Sequence, residues 1–510
     1  MVAVVSGNGL GLLNGSLSQL GLISGGAAGL GQSRDLQYLN AANGNLVLQG
    51  ADSALVFNGI SLSDLRTYNS EGGGTGQGWL WGFSRNVFGL TGTVNTAGST
   101  IKRTAEDGSV LTYTYDSSIG SYRAAGEAGT RDALKWDPST VRWTWTDTDS
   151  RRQEMYNANG TLVSASDPLT GGSYTLAYTN QLLTSITAAD GDVLTFGYDA
   201  QGRVTSLSTK EVPAGGGAAV TRTAVTYGYD ALGRLTTVTT SLDSDSQAST
   251  SSFTSTYEYD GTSNRISRLT QSDGVAVAYA YTQGADSIWR VTTITTGSGS
   301  EASVQTIAYA TVVEQGVTLN ATTITDASGR GWTYKSDVSG RLVAVVSPAV
   351  NGQRQTTTYT YDANNNVTSV TDALGNKTAY GYDALGNRTS EQDQLGNTIT
   401  RTYSSTNQLL TETTYRTATP GATPTSSSTP ETVRYVYEND RLRFVIDAKG
   451  DVTENQYDSV GKLVMTRQFV GAKYAGGCCS VERCGRYAGR RRYAAATPNT
   501  HANNEYTVPS

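Results

Sequence analysis

Residues suited to acid–base or nucleophilic chemistry are scarce in this sequence. The single histidine, His501, lies close to the C-terminus, beyond the regular part of the chain. Serine and cysteine hydrolases need an imidazole beside the nucleophile. We therefore predict that the chain contains no catalytic residues and is not an enzyme.

The three cysteines are candidate metal ligands. Cys478, Cys479 and Cys484 all lie near the C-terminus, and no second ligand cluster accompanies them at a spacing suited to zinc. The rest of the chain contains no thiol. We predict neither a metal site nor a bound cofactor.

Paired carboxylates are the remaining route to hydrolysis, because a glycosidase needs only two of them. Most aspartates, however, recur with the period of an internal repeat. Turn capping is the favoured role for Asp199, Asp230, Asp362 and Asp383. Asp243 and Asp245 are candidates for calcium, but their loop lacks the glycine and terminal glutamate of a calcium loop, which favours a solvated loop.

Tryptophan pairs offer a different chemistry, the stacking of indole rings on sugars. Trp143 and Trp145 share one face of a strand, as do Trp79 and Trp81. Packing in the core of a sheet is the favoured alternative for all four. We keep Trp143 and Trp145 as candidate glycan-stacking residues.

The composition favours strands and turns over helices. The 510 residues include 58 Gly and 30 Tyr but only 7 Phe and 3 Met. A net charge of −6 provides no basic surface for nucleic acid. The apolar N-terminal stretch has no charge before Arg34 and is interrupted by glycine, so we predict neither a secretory signal peptide nor a transmembrane segment.

An internal repeat accounts for most of the chain. Tyr361, Tyr382 and Tyr403 follow one another at intervals of 21 residues. The Asp-x-x-Gly after the tyrosine, as in Asp383-Ala384-Leu385-Gly386, is typical of a type I turn followed by a left-handed bulge residue. A second turn, such as Asp372-Ala373-Leu374-Gly375, lies between successive tyrosines. Each unit therefore predicts one antiparallel hairpin.

Tyrosines two residues apart precede many of these turns, as at Tyr227/Tyr229 and Tyr380/Tyr382. Such a pair lies on one face of a strand, so units in register predict an aromatic stripe across the sheet. Longer intervals contain the inserts KEVPAGGGAAV, SLDSDSQASTSS and RTATPGATPTSSSTP. Each insert replaces the second turn, which predicts loops along a single edge of the assembly.

The repeated pattern Y-D-x-x-G-[RN]-[LV]-T resembles the YD repeat of bacterial Rhs proteins, the toxin-complex shell component, wall-associated protein A and teneurins. It occurs as YDAQGRVTS and YDALGRLTT, and YDSVGKLVM is a variant. The segments LRTYNS and GWLWGFSRN resemble the opening of Rhs-type repeat regions. The motif residues expected to have structural roles are Tyr198, Asp199, Gly202, Tyr229, Asp230, Gly233, Tyr361, Asp362, Tyr382, Asp383, Gly386, Tyr457, Asp458 and Gly461.

The resemblance implies an all-β fold, a spiralling ribbon of antiparallel hairpins that closes in complete members into a cocoon around a C-terminal toxin. At about 4.8 Å per strand, the repeats suffice for about one turn, so we predict an open partial cocoon. We expect a flexible glycine-rich leader over 1–40, a β region opening the shell over 41–150 and YD repeats over 151–470. Residues 471–510 are expected to be an atypical basic tail, disordered or frameshifted.

The first functional hypothesis is a structural shell segment of a secreted or cell-surface Rhs-type protein. Such a segment carries a polymorphic toxin whose effector end is missing here, and its partners are the toxin cargo or the remaining shell segments. The alternative is an adhesin module that binds carbohydrate or another partner through a surface containing Trp143 and Trp145. Neither hypothesis involves nucleic acid.

Overall fold

The structure is a computed structural model in which most of the chain can be described. The described residues are 2–12, 20, 35–57, 60–72, 78–124, 132–147, 150–168, 171–211, 220–242, 251–416, 430–458, 463–469 and 493–498. They are dominated by β-strands, as predicted. No helix in these ranges is both long enough and apolar enough to cross a membrane.

The first sheet is formed by the N-terminal strands. They are β1 (Ala3–Val5), β2 (Asp35–Asn40), β3 (Leu46–Phe57), β4 (Ile60–Asn69) and β5 (Trp79–Trp81). The strands lie in chain order; β1 and β2 are parallel, and the other neighbours are antiparallel. We call β1–β5 the N-terminal sheet.

The remaining strands form a second, much larger sheet, which we call the ribbon. Its strands are β6 (Asn86–Thr91), β7 (Thr100–Thr104), β8 (Val110–Asp116), β9 (Ser121–Ala124), β10 (Ala133–Asp137), β11 (Arg142–Thr146), β12 (Gln153–Tyr156), β13 (Leu162–Ser166), β14 (Ser173–Thr179), β15 (Leu182–Ala188), β16 (Val193–Tyr198), β17 (Val204–Glu211), β18 (Val220–Tyr229), β19 (Leu235–Ser241), β20 (Ser252–Tyr259), β21 (Ile266–Gln271), β22 (Ala276–Gln283) and β23 (Trp289–Thr296). It continues through β24 (Ser303–Glu314), β25 (Val317–Thr325), β26 (Gly331–Ser336), β27 (Leu342–Val346), β28 (Thr356–Tyr361), β29 (Val367–Thr371), β30 (Lys377–Tyr382), β31 (Arg388–Gln392), β32 (Thr398–Tyr403), β33 (Leu409–Tyr415), β34 (Glu431–Glu438), β35 (Arg441–Ile446), β36 (Val452–Tyr457), β37 (Leu463–Phe469) and β38 (Tyr493–Pro498). Short 3₁₀ helices span Gly82–Ser84 and Gly299–Glu301.

The ribbon is a continuous antiparallel meander. Each strand from β6 to β37 pairs with the next strand along the chain. In the described part of the chain, no ladder joins the terminal strands β6 and β38 to each other. The sheet is therefore an open ribbon, which confirms the predicted fold class.

The turn after the motif tyrosine has the geometry that the sequence predicts. Gly233 N–H donates to the Asp230 carbonyl (2.9 Å), and Asp230 N–H donates to the Arg234 carbonyl (3.0 Å). Asp230 Oδ1 caps the turn by accepting the N–H groups of Leu232 (3.0 Å) and Arg234 (2.8 Å). Gly233 has φ +80°, a conformation that costs glycine little, and the strand register shifts before Tyr229.

The two edges of the ribbon carry different turns. The turns that contain the YD motif run from even-numbered to odd-numbered strands, and we call this side the YD edge. Turns from odd-numbered to even-numbered strands form the opposite side, the insert edge. The inserts fall between β17 and β18, β19 and β20, and β33 and β34, so they share one edge as predicted. Most of each insert lies outside the described residues.

The ribbon winds back onto itself after about one turn. Arg123, near the insert edge at β9, donates to the carbonyl of Ala384 in the β30–β31 turn (2.8 Å). Arg151, between β11 and β12, forms an ion pair with Asp440 between β34 and β35 (3.1 Å). Arg441 also donates to the Pro168 carbonyl (3.2 Å). The YD edge of the later strands therefore stacks on the insert edge of the earlier strands.

Residues 2–12 differ from the flexible leader expected over 1–40. Val2, Val4 and Val5 are buried, and β1 pairs with β2. The Val2 N–H also donates to Gln305 of the ribbon (3.0 Å). The apolar residues of this segment pack against partners remote in the sequence, which local glycine content does not reveal.

The left-handed turn position provides a direct test of the hairpin geometry. Gly386 has φ +79°, so Gly386→Val should lower the free energy of unfolding by about 1–3 kcal/mol, because a β-branched residue is strained there. Ala384→Val, in the same turn but not at a positive φ, is the control and should have little effect. Chemical denaturation followed by circular dichroism measures both variants. Equal stability of the two would contradict this geometry.

Candidate functional site

The motif tyrosine links each repeat unit to the unit before it. The Tyr229 hydroxyl donates to the Val204 carbonyl (2.7 Å), at the start of the strand that follows the preceding YD turn. Tyr259 bonds Leu235 in the same way (2.6 Å). Equivalent bonds join Tyr178 to Leu162, Tyr198 to Leu183, Tyr281 to Ile266, Tyr309 to Val291, Tyr361 to Leu342, Tyr382 to Val367, Tyr403 to Arg388 and Tyr457 to Leu442. We call this contact the tyrosine bridge.

The residue after the turn glycine completes the contact between units. Arg234 Nε donates to Asp230 Oδ2 of its own turn (2.7 Å), and its guanidinium lies 4.5 Å from the centroid of the next motif ring, Tyr259. Arg203 repeats this arrangement with Asp199 (2.6 Å) and the Tyr229 ring (4.6 Å). One arginine therefore holds its own turn and covers the neighbouring tyrosine.

Asparagine replaces this arginine in the later units. Asn366 Nδ2 donates to Asp362 Oδ2 (3.0 Å), and Asn387 donates to Asp383 (2.9 Å). Asparagine thus keeps the bond within the turn but is too short to cover the next ring. The sequence pattern shows that arginine or asparagine follows the turn glycine, but it does not reveal the contact between this arginine and the next tyrosine ring.

The titration of these groups reflects their structural contacts. Backbone N–H donation from Arg203, opposed by desolvation, lowers the pKa of Asp199. Burial raises the pKa of Tyr198 to about 12 and that of Tyr259 to about 12. At neutral pH the aspartate is charged and the hydroxyls are protonated, as capping and donation require.

A buried ion pair connects the N-terminal sheet to the ribbon. Arg66 Nε and Nη2 donate to the two carboxylate oxygens of Asp52 (3.0 and 2.9 Å), and the two side chains are only 1% and 3% exposed. Tyr227 donates its hydroxyl hydrogen to Asp52 (2.8 Å), and Arg66 donates to the Tyr257 hydroxyl (2.9 Å). Ribbon tyrosines thus satisfy both members of the pair.

Further bonds place the N-terminal sheet against the inner face of the ribbon beside the YD edge. Tyr68 donates to the Asn264 carbonyl (2.9 Å) and accepts the Ile266 N–H (3.0 Å). Trp79 Nε1 donates to the hydroxyl of Tyr259 (3.1 Å), a residue that also forms a tyrosine bridge. Buried side chains of both sheets belong to one hydrophobic core. The sheet therefore spans the ribbon near this edge.

A second buried charge cluster lies among the first ribbon strands. Glu154 is paired with Arg85 and Arg103, and it also accepts the Tyr156 hydroxyl. Arg85 further donates to the Tyr174 hydroxyl (3.0 Å). Desolvation opposes ionisation of Glu154, but the adjacent arginines dominate and lower its pKa to about 2.

The structure does not present Trp143 and Trp145 as sugar-stacking surfaces. They are 5% and 8% exposed. The Trp143 ring packs against Tyr122, and Trp145 Nε1 donates to Tyr113 (3.2 Å) while Arg103 lies 3.8 Å from its ring centroid. Both rings are thus buried in the core, so they do not form an exposed surface on which a sugar ring could stack.

Among the described residues, no three His, Cys, Asp or Glu side chains cluster in a way that could hold a metal ion. Asp243, Asp245 and Gly461 lie outside the described residues. His501 and all three cysteines do so as well. Asp199, Asp230, Asp362 and Asp383 cap turns. Asp362 accepts from Asn364 and Asn366, for example.

Comparison with known proteins identifies the repeat. The RHS Repeat family model matches residues 179–216, 337–377 and 361–398. No curated protein matches the chain significantly.

Solved structures provide additional, weaker similarities. The crystal structure of TcdB2-TccC3 has a TM-score of 0.37 at 15% identity, covering 74% of this chain and 23% of the other. TcdB2-TccC3-TEV has 0.36 at 13% identity, covering 83% and 23%. The Tc holotoxin pore of Photorhabdus luminescens has 0.19 at 11% identity, covering 85% and 29%. The chain thus spans less than a third of each of these structures.

The tyrosine bridges differ in how many other contacts share the same hydroxyl group. Their removal should therefore lower the free energy of unfolding by different amounts. Tyr259→Phe removes a bond to Leu235 and the acceptor of Trp79, so we expect a loss of about 1–3 kcal/mol in the free energy of unfolding. Tyr403→Phe removes an exposed bond to Arg388 and is the matched control, with an expected loss of about 0.5–1.5 kcal/mol. Urea denaturation of both variants gives the comparison. An equal or larger loss for Tyr403→Phe would count against a link between the two sheets at Tyr259.

The charge cluster predicts an acid sensitivity with a defined sign. The folded state lowers the pKa of Glu154 from 4.5 to about 2, so the ionised carboxylate stabilises the fold above about pH 4.5. This contribution should disappear progressively as the pH falls towards 2. Glu154→Gln should be less stable at neutral pH and should lose less stability on acidification. Denaturation curves between pH 7 and pH 2 test this, and parallel pH dependences of wild type and variant would exclude it.

Proposed function

Because this chain belongs to the Rhs/YD-repeat family, we propose that it is a wall segment of a shell that carries a polypeptide cargo. The structural part of this role, an Rhs-type shell ribbon, follows from the repeats and the fold. The single observation that supports it best is the tyrosine bridge, which recurs from Tyr178 to Tyr457.

The chemistry of the repeat supports a mechanical role. In a typical unit, Asp230 accepts two backbone N–H groups and one guanidinium bond, and the Tyr259 hydroxyl is bonded to Leu235 and Trp79. These polar groups are engaged in holding strands together. An acid–base catalyst would instead need a carboxylate available to a substrate.

The arrangement of edges supports growth of the wall in one direction. The N-terminal sheet bonds YD-edge turns such as β20–β21 and also the β7–β8 turn, whereas the insert edge from β9 to β14 receives the YD edge of later strands. Further YD units could stack their YD edge on the insert edge of the last strands. Each added coil would then make the wall taller in the same direction. Remaining shell segments are therefore the first partner that we propose.

The repeat resembles that of complete Rhs-type proteins, which surround a C-terminal toxin. We propose the same class of cargo for this wall. We also propose that it acts outside the cell or at the cell surface. The burial of Trp143 and Trp145 leaves no observation that favours the adhesin alternative.

The wall role predicts a recognisable particle. Purified chain should give a β-dominated circular dichroism spectrum and curved, open collars in negative-stain electron microscopy. The collar should have unlike ends, because the YD edge and the insert edge carry different turns. Straight fibres or compact particles without a bore would overturn the wall role.

The cargo role has a separate test with a matched control. The same small reporter domain is fused either to the C-terminus or to the N-terminus, and its cleavage by a protease is timed. We expect slower cleavage of the C-terminal reporter, because the collar surrounds cargo that follows the ribbon. Equal rates would overturn the cargo role while leaving the wall role intact.

A further inference from the structure

The ribbon overlaps itself through a small set of arginine contacts. Arg123 donates to the Ala384 carbonyl (2.8 Å), and Arg151 donates to the Thr406 carbonyl (2.5 Å). Arg151 also forms the ion pair with Asp440 (3.1 Å). These contacts join the insert edge of the first strands to three successive YD-edge turns, β30–β31, β32–β33 and β34–β35. We call them the clasp.

Arg441 adds a clasp contact in the opposite direction. Its Nε and Nη2 atoms both donate to the Pro168 carbonyl (3.2 Å each). Each described clasp contact therefore has a guanidinium as its donor. The ion pair is open to water, since the Asp440 side chain is 56% exposed. Water competes for such exposed groups, so each contact holds the overlap only weakly.

No hydrophobic cluster of the described residues spans the overlap. The main core contains apolar side chains of the first ribbon strands, such as Tyr122 and Trp143, and its buried members extend along the ribbon as far as Tyr359. The last strands have a separate cluster, which consists of Val436, Phe444, Ile446, Val452 and Phe469. The clasp therefore holds β34–β37 against the first strands without apolar packing between the two clusters.

The strands that connect the two clusters, β29–β33, contain no buried apolar side chain among their described residues. The buried side chains in this stretch are polar, namely Asn366, Ser369, Asn387 and Thr398. Strand pairing continues through it from β28 to β34. Local opening costs least free energy where few apolar side chains are buried, so this stretch can bend while its ladders remain paired.

We propose that β34–β37 form a flap that swings away from the first strands when the clasp releases. The hinge is β29–β33, because these strands lack the apolar packing that holds other strands in place. Release of the clasp opens a gap between the two coils at the side of the collar, while the main core stays folded. Such a gap connects the enclosed space with the solvent. This inference concerns the ribbon itself and does not depend on the proposed cargo.

Hydrogen–deuterium exchange of the full chain, followed by mass spectrometry, measures this opening in the wild type. Screening weakens the clasp ion pair, so we expect exchange in peptides from β29–β37 to be about threefold faster at an ionic strength of about 1 M than at about 0.1 M. Peptides from β15–β25 are the internal control, because they contain partly exposed ion pairs such as Arg203 with Asp199 but belong to the main core. Equal acceleration of both regions, or none in β29–β37, would contradict the proposal.

Variants assign the effect to the clasp. The double variant Arg123→Gln/Arg151→Asn removes both guanidiniums of the first strands, and asparagine tolerates the positive φ of Arg151 (+65°). We expect exchange in β29–β37 to become about fivefold faster and to lose most of its salt dependence. Arg330→Gln is the matched control, because Arg330 also follows an insert-edge turn but bonds Asp326 of its own turn (2.8 Å). Wild-type exchange in the double variant, or the same acceleration in Arg330→Gln, would overturn the flap.

Discussion

The ribbon depends on a hydrogen bond between a tyrosine hydroxyl and a backbone carbonyl of the preceding unit. The carbonyl belongs to one of the first residues of a strand, and at Leu235 it lies beside the register shift that the turn imposes at Tyr229. A bulge leaves part of the ladder unpaired, so a side chain must satisfy the carbonyl there. The motif tyrosine does this by donating its hydroxyl hydrogen to that carbonyl.

The neighbouring residues of the motif make that bond possible. Gly233 or an equivalent residue allows the bulge, Asp230 caps it, and Arg234 covers the ring that donates the next hydroxyl. Asn365 and Asn407 replace glycine in their units with φ +61° and +63°, which asparagine tolerates better than most residues. The repeat therefore conserves a local geometry through different residues. This explains why the units remain recognisable although few positions are identical.

Local chemistry determined what could be predicted from the sequence. The period, the type I turns and the side-by-side hairpins depend on residues close in the chain, and these were predicted, including the common edge for the inserts. The N-terminal sheet was not, because its contacts, such as Tyr68 with Asn264 and Arg66 with Tyr257, join distant segments. Its burial depends on a surface that exists only after the ribbon has formed.

The same limitation applies to the buried polar and charged groups. Arg85 and Glu154 have no distinctive sequence context, yet together with Arg103 they form the most completely buried ion cluster of the early ribbon. Nothing in the local spacing of Trp81 indicates that its indole N–H finds no acceptor among the residues that the structure describes. Alternation did show that Trp143 and Trp145 share a face, but it could not show that this face points inward.

The two edges of the ribbon carry different turns, so the wall has a direction. Where the ribbon overlaps itself, the insert-edge turns between β9 and β14 contact the YD edge of later strands, so a longer loop there would lie between two coils. Changes in loop length therefore alter the fit between coils without disturbing the strands.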